Sequence, residues 1–307
     1  MRVALLASLC LPLPAAPCSE CHTDVARKQS ASHHAAALRP IADSPLPHLF
    51  RDNGGLTYSL QSGLVLITST TGLTATLEWA FGAGAQGITP VGTIDGRAFE
   101  HRFSYYPKAQ RFALTFGHPS GVATPEAAFG VPQDAKTLAR CFSCHSTGGQ
   151  PGITCDRCHG PPQAHIEAAR AGVPKDALRR TIVNPGRFPA KAQIEFCGAC
   201  HRLPEPGNDS PEPELEDPVN VRFAPIGLLA GRCFQASKRL TCTTCHDPHD
   251  NARPRTDDFY VQRCRDCHAQ SKSHCPRPAK SDCLTCHMPQ ASLGRYLTFT
   301  NHRIHVP

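Results

Sequence analysis

The sequence Cys-x-x-Cys-His occurs seven times in this 307-residue chain, and it restricts the possible folds more than any other feature. We number the copies motif 1 to motif 7 in chain order. They are Cys18/Cys21/His22, Cys141/Cys144/His145, Cys155/Cys158/His159, Cys197/Cys200/His201, Cys242/Cys245/His246, Cys264/Cys267/His268 and Cys283/Cys286/His287. This spacing is typical of covalent c-type haem attachment. Two thiols reach the two vinyl groups of one porphyrin, and the next side chain, an imidazole, meets the iron from the same side.

Two other sites use Cys-x-x-Cys pairs, namely zinc ribbons and thioredoxin-like redox motifs. Neither requires histidine directly after the second cysteine, which all seven copies have. The motifs therefore predict seven covalently attached haem c groups. In each, the motif histidine is the expected proximal iron ligand: His22, His145, His159, His201, His246, His268 and His287.

The cysteine count measures haem sites rather than disulfides, because fourteen of the 17 cysteines belong to the motifs. The remaining three are Cys10, Cys233 and Cys275. An oxidising compartment favours a disulfide between Cys233 and Cys275, and two unpaired buried thiols are an equally reasonable state. A thiolate axial ligand is a third alternative, which would suggest sulfur chemistry.

The N-terminal run resembles a short secretory signal, which we place at residues 1–16. Arg2 precedes an apolar stretch through Leu13, and small residues follow. Bacteria attach haem c outside the cytoplasmic membrane, so the motifs and the signal agree. We expect an exported protein, in the periplasm or at the outer cell surface. No later stretch has the roughly 20 apolar residues of a membrane span.

The formal charge of +7 does not indicate a nucleic-acid partner. Each ferric haem with two ionised propionates adds about −1, so seven haems nearly cancel the excess. We therefore expect the basic residues to pair with propionates, and we expect no nucleic-acid binding.

The motifs are unevenly spaced, which divides the chain into segments. We predict a first haem-binding segment at 17–45, a β-rich insertion at 46–135 and a hexahaem region at 136–307. The insertion is predicted from alternating apolar runs with glycine turns. These are Tyr58–Thr68, Thr74–Phe81, Arg97–Tyr106 and Arg111–Phe116. The fold class expected is α+β with little regular secondary structure: a haem-wrapped fold with short helices and a small inserted antiparallel β domain.

The second iron ligand decides whether such a haem carries electrons or binds substrate. The only methionines are Met1, in the signal, and Met288, which is too near His287 to reach the opposite face of its ring. Histidine is therefore the expected distal ligand, and ten histidines lie outside the motifs. The distal candidates are His34, His118, His165, His249, His274, His302 and His305, whereas His33, His48 and His101 are the remaining three. His249 and, less strictly, His165 follow a proximal histidine too closely to serve the same haem, so each would serve a neighbouring one.

Several runs resemble the exported multihaem cytochromes related to the tetrahaem electron carrier of ammonia-oxidising bacteria. They are the stretch from Cys18 through Ser32-His-His-Ala to Pro40, the run Cys155–His165, the run from Gly231-Arg-Cys-Phe234 through His249, and the ending Phe299–His305. The resemblance covers most of the chain. It implies a β-rich insertion after the first haem site. It also implies that His34, His165, His249 and His302 are distal ligands or other histidines near haem.

These features predict an exported heptahaem cytochrome c that transfers electrons between redox partners through closely spaced, mostly bis-histidine haems, with no catalytic residue. The expected partners are redox proteins, such as a membrane-associated quinol oxidoreductase or a terminal reductase. One alternative is a multihaem oxidoreductase with one open-site haem, acting on a small nitrogen or sulfur compound. A second is a homo-oligomer or a haem-bearing filament.

Overall fold

The computed structural model describes residues 18–203, 218–252, 256–268 and 283–305. The predicted signal at 1–16, most of the Pro-rich acidic stretch at 203–220, His274 and Cys275 lie outside the described residues. Expectations for those parts stay predictions. No helix within the described ranges is long and apolar enough to cross a bilayer.

Short helices carry the motifs and the segments between them. Their bounds are α1 Cys18–Cys21, α2 Thr23–Ser30, α3 Leu46–Leu49, α4 Ala135–His145, α5 Cys155–His159, α6 Gln163–Arg170, α7 Lys175–Leu178, α8 Ala190–His201, α9 Pro218–Val221, α10 Ala224–Ala230, α11 Arg232–Ser237, α12 Cys242–Cys245, α13 Asp257–His268 and α14 Cys283–His287. The frequent prolines between them explain their shortness, because proline removes a backbone donor and clashes with the preceding turn.

Antiparallel strands form one larger sheet and three small ones. Their bounds are β1 Leu38–Pro40, β2 Leu56–Gln61, β3 Leu64–Ser69, β4 Thr74–Phe81, β5 Thr89–Ile94, β6 Arg97–His101, β7 Phe103–Tyr106, β8 Arg111–Leu114, β9 Gly130–Pro132, β10 Ser146–Thr147, β11 Gln150–Pro151, β12 Gln290–Leu293 and β13 Leu297–Thr300. The larger sheet has seven strands in the order β2-β3-β4-β5-β6-β9, with β1 paired to β4. The others are β7-β8, β10-β11 and β12-β13.

The larger sheet has its own apolar core, which includes the fully buried Leu46, Ile67, Leu77 and Phe99. Burial alternates along β3 and β4, as a sheet with one covered face requires. Gly92 in β5 permits a close backbone approach, since a Cβ there would lie 1.8 Å from the Thr76 carbonyl oxygen.

A second cluster joins this sheet to the helix of motif 2. The Phe142 ring of α4 meets Trp79 and Phe81 edge-on, with ring centroids 5.5 and 5.2 Å apart. Leu38 and Val91 complete the buried part of this contact. The sheet therefore fixes the position of the helix that ends in His145.

The fold class predicted from the sequence is confirmed, because short helices are combined with small antiparallel sheets. Two details differ. The run Tyr58–Thr68 is split between β2 and β3 by a turn at Ser62 and Gly63, both at positive φ. The region after motif 2 is more helical than its composition indicates, since α8 and α13 each span 12 residues. The sheet also begins before residue 46, because Leu38–Pro40 pairs with β4.

Candidate haem centres

Each motif lies on or at the end of a helix, which places its three functional side chains on one face. Motifs 1, 3, 5 and 7 begin α1, α5, α12 and α14, whereas motifs 2, 4 and 6 end α4, α8 and α13. Residues three and four apart are neighbours on a helix surface. The first cysteine of each motif is therefore adjacent to both the second cysteine and the histidine, as attachment along one porphyrin edge requires.

The motif cysteines are not equally covered, which the sequence did not indicate. Cys267 of motif 6 and Cys286 of motif 7 are exposed, as is Cys21 of motif 1, whereas the other eleven motif cysteines are partly buried. The first cysteines of motifs 6 and 7, Cys264 and Cys283, lie near each other where α13 meets α14, and burial raises the pKa of Cys264 to about 11. The second cysteine of each motif lies one turn later, beyond that contact. Haem attachment through the motif cysteines, the exposed Cys267 and Cys286 included, stays a prediction.

Four motif histidines each face a histidine from a distant part of the chain. The centroid distances are 6.3 Å for His22 and His165, 6.0 Å for His201 and His34, 6.0 Å for His159 and His249, and 6.2 Å for His246 and His302. Two imidazoles that share one metal ion, each bonded at about 2 Å, have centroids about 6 Å apart. Each of the four pairs could therefore hold one iron between its rings.

The non-motif members of these pairs are held by hydrogen bonds to Nδ1, which leaves Nε2 available for a metal. The Nδ1 partners are the Pro248 carbonyl for His34 at 3.0 Å, Thr181 Oγ1 for His165 at 3.1 Å, Asp247 Oδ1 for His249 at 3.0 Å and the Thr300 carbonyl for His302 at 2.9 Å. Metal-bound histidines commonly use this arrangement, which fixes the tautomer and the ring orientation.

Burial keeps several of these imidazoles in the neutral form that binds metals. It lowers the pKa of His302 to about 4. It also lowers the pKa of His201 and that of His246. His246 has a further feature: its Nδ1 is buried and has no hydrogen-bond partner among the residues that the structure describes.

The other predicted distal ligands have different surroundings. His118 is buried, and its Nε2 is 3.0 Å from Glu100 Oε2, so that nitrogen is engaged by a carboxylate. His305 donates from Nδ1 to the Arg303 carbonyl at 2.8 Å, and its own carbonyl accepts from His287 Nδ1 at 2.6 Å. It therefore lies beside motif 7. His274 lies outside the described residues.

Three motif histidines, His145, His268 and His287, have no second imidazole in ring contact within the described part of the chain. His145 instead meets the Phe81 ring, with centroids 5.2 Å apart, and donates from Nδ1 to the Ala37 carbonyl at 2.9 Å. Its ring is thus oriented as those of the paired histidines are, with Nε2 left for a metal.

The three histidines outside the candidate set have other roles in the fold. His101 is buried in the sheet, where its Nε2 bonds to the Tyr58 hydroxyl at 3.0 Å and its Nδ1 to the Phe129 carbonyl at 2.8 Å. Burial lowers its pKa to about 3. The His33 amide donates to Asn251 Oδ1, and His48 is exposed.

Contacts between the motifs do not follow chain order. Burial raises the pKa of the Cys18 thiol and the neighbouring Cys155 adds to this effect, which places motif 1 beside motif 3. The Cys197 and Cys242 thiols also influence each other's pKa, and they lie where α8 contacts α12, so motif 4 lies beside motif 5. Cys144 of motif 2 contacts Cys200 of motif 4, and its thiol lies 3.8 Å from the Ala199 carbonyl oxygen. Motif 4 therefore has neighbours on several sides.

Sequence reasoning missed two charged residues of this region. Asp247 accepts hydrogen bonds at 3.0 Å from both the amide and the ring of His249. Burial would raise the pKa of its carboxyl, but these hydrogen bonds outweigh that effect and lower it. The spacing of Asp247 and His249 in the sequence His-Asp-Pro-His could have indicated this pair.

The second missed residue is Arg157, which links three motifs. Nothing in the sequence except its place inside motif 3 could have indicated this role.

These residues fit haem c. The donor set consists of paired cysteines, neutral imidazoles with free Nε2 atoms and aromatic rings beside them, such as Tyr260 at 5.8 Å from His246. A haem held there would supply a one-electron iron couple, whose potential depends on its axial ligands, burial and hydrogen bonds.

No family model and no curated protein matches the chain. Two solved structures are similar. One is the outer cell wall cytochrome OcwA, at 18% identity over 60% of this chain and 36% of that chain, with a TM-score of 0.34. The other is an undecahaem cytochrome from the S-layer of Carboxydothermus ferrireducens, at 16% identity over 95% of this chain and 52% of that chain, with a TM-score of 0.43. The chain thus corresponds to about half of these structures or less. Similarity at this level does not assign a function.

Proposed function

We propose that this chain is a multihaem c-type cytochrome. The observation that carries the proposal is the set of four histidine pairs at centroid distances of 6.0 to 6.3 Å. Each pair combines one motif histidine with one histidine from elsewhere, as bis-histidine ligation of an attached haem requires. Neither a zinc ribbon nor a thiol redox site needs such a second imidazole.

More particularly, the protein is an exported heptahaem electron carrier that passes electrons between redox proteins in the periplasm or at the cell surface. Seven attachment motifs support the haem count, and the residues resembling a signal support export. At the four paired sites two imidazoles would hold the iron, which favours electron transfer over substrate binding there.

The chain's own residues perform three tasks in this function. The cysteine pairs would hold the porphyrins covalently, and the contacts between motifs would keep neighbouring attachment sites close together. The histidine pairs give low-potential ligation, and their Nδ1 hydrogen bonds hold the rings in place. Because His165, His34, His249 and His302 each face a motif from another part of the chain, ligation ties the haem sites into one unit.

Haem quantification and spectroscopy of the purified ferric protein test this proposal. A pyridine haemochrome assay should give seven haems per chain. Low-temperature EPR should show low-spin iron at the four paired sites, with no change on adding nitrite, hydroxylamine or cyanide. A haem count well below seven, or high-spin iron at the paired sites, contradicts the proposal.

A second candidate function is a multihaem oxidoreductase with one open-site haem. The observation that favours it is that His145, His268 and His287 lack a second imidazole within the described residues. In that case one haem is high-spin and binds added cyanide, and the protein reduces or oxidises a small nitrogen or sulfur compound. An unchanged spectrum with all added ligands contradicts this candidate.

A further inference from the structure

Arg157 lies where the segments of motifs 2, 3 and 4 meet. It sits between the two cysteines of motif 3. Its Nη2 donates to the Ser143 carbonyl of motif 2 at 2.7 Å and lies 3.9 Å from the Cys200 sulfur of motif 4. One guanidinium therefore bridges three attachment sites.

The charge of Arg157 is not neutralised by a neighbouring carboxylate within the described ranges. Its contacts there are a carbonyl oxygen and a sulfur. By contrast, Arg170 and Arg263 lie within 3.6 and 3.2 Å of carboxylates. The charge of Arg157 also acts on its own motif. Burial raises the pKa of the Cys158 thiol, and the positive charge of Arg157 partly offsets this by lowering the same pKa.

A positive charge near a haem favours its reduced form. Reduction lowers the charge of the iron site by one, so a nearby cation stabilises the product more than the reactant. The sulfur of Cys200 would be bonded to the porphyrin of motif 4, and Arg157 is part of the attachment loop of motif 3. The haems of these two motifs are therefore the most affected.

We propose that Arg157 raises the reduction potential of the haems held by motifs 3 and 4, so that electrons arriving from neighbouring haems collect where the three motifs meet. This inference rests on the proposed function, because it needs haem at those motifs. Arg157 is a positioning and potential-setting residue rather than a catalytic one.

The test compares Arg157→Gln with Arg157→Lys and with Arg97→Gln, a matched loss of one positive charge at an exposed position in β6. Each change is made in proteins in which one haem carries a methionine in place of its second histidine ligand. Methionine raises the reduction potential of that haem, so its titration step separates from those of the other haems. The markers are His249→Met for motif 3, His34→Met for motif 4 and His302→Met for motif 5.

Spectroelectrochemical titration should show that Arg157→Gln lowers the potentials of the haems marked at motifs 3 and 4 more than that at motif 5. Arg157→Lys should restore most of the shift, because lysine keeps the charge but not the planar fork of the guanidinium. Arg97→Gln should leave all three potentials unchanged. Since Arg157 is exposed, the shift should shrink at high ionic strength.

Unchanged potentials in Arg157→Gln overturn the inference, as does a shift that lysine does not restore or that salt does not reduce. Proteins without a methionine marker also test the inference, and their result does not depend on which histidine serves which haem. Their summed titration curves must differ between Arg157→Gln and Arg97→Gln, and superimposable curves refute the role of Arg157. A haem count below seven in the wild-type protein would instead indicate failure of the proposed function.

Discussion

The angles between the paired imidazole planes predict two kinds of ferric EPR signal. The planes are 3° apart for His159 and His249 but 71° apart for His34 and His201. Parallel planes on one iron separate the energies of its two π-bonding d orbitals and give a rhombic low-spin signal. Crossed planes leave these orbitals nearly equal in energy and give a highly anisotropic signal. His34→Ala should therefore remove an anisotropic signal, and His249→Ala a rhombic one.

The size of the effect follows from the number of haems. With the proposed seven haems, each variant removes one of two axial ligands from one haem, so about one seventh of the total iron should change from low-spin to high-spin. Spin quantitation by low-temperature EPR measures this fraction in the ferric protein. His48→Ala is the matched control, because His48 is exposed and belongs to no histidine pair.

Three results would refute this reasoning. The first is that His34→Ala removes a rhombic EPR signal and His249→Ala removes an anisotropic one. The second is an unchanged low-spin intensity in either variant despite full haem content. The third is a loss in His48→Ala as large as that in the two ligand variants.

Three other perturbations have defined outcomes. Asp247→Asn should raise the potential of the haem at motif 3, because it removes a negative charge hydrogen-bonded at 3.0 Å to the ring of His249; an unchanged redox titration contradicts this. His101 has a folded pKa of about 3 against an ordinary value of about 6.5, so its contribution to stability is complete above pH 6.5 and falls by about 1.4 kcal/mol per pH unit as the pH drops towards 3. Urea unfolding at pH 7 and pH 5 should therefore show a smaller pH dependence for His101→Phe than for the wild-type protein. Gln193→Leu should destabilise the contact between motifs 4 and 5 by about 1–3 kcal/mol, because the Thr243 amide loses its acceptor at 3.1 Å; thermal unfolding measures this loss, and an unchanged midpoint argues against it.

The grouping of the three side chains of each motif could be predicted from the sequence because it is local, whereas their role in haem attachment stays a prediction. Three residues within five positions define a motif, and a helical turn places them together whatever the rest of the chain does. The burial of each thiol depends on how other segments pack against the motif, so the exposure of Cys267 and Cys286 could not be predicted from the sequence. Spacing alone also predicted that His249 would serve a haem other than that of His246, and the structure places His249 opposite His159. The role of each distal histidine as an iron ligand stays a prediction.

The pairing of His34 with His201 could not be predicted, because it depends on how segments far apart in the chain pack. His34 reaches its position through the bond of its Nδ1 to the Pro248 carbonyl, a contact that no periodic pattern encodes. The bridging by Arg157 was missed for the same reason. Similarly, His118 was a distal candidate because it lies outside the motifs, whereas its Nε2 lies against Glu100.

The facing histidines also have a consequence for assembly. A chain exported from its N-terminus presents motif 1 long before His165, and motif 5 before His302. The first haem would then wait for its second ligand until a later part of the chain emerges. Each iron bound by both histidines would close a long loop and would remove conformational entropy from the unfolded chain, much as a disulfide does. The cofactors would thus act as late-closing crosslinks, and a chain missing one haem should be more open to proteolysis along the corresponding loop.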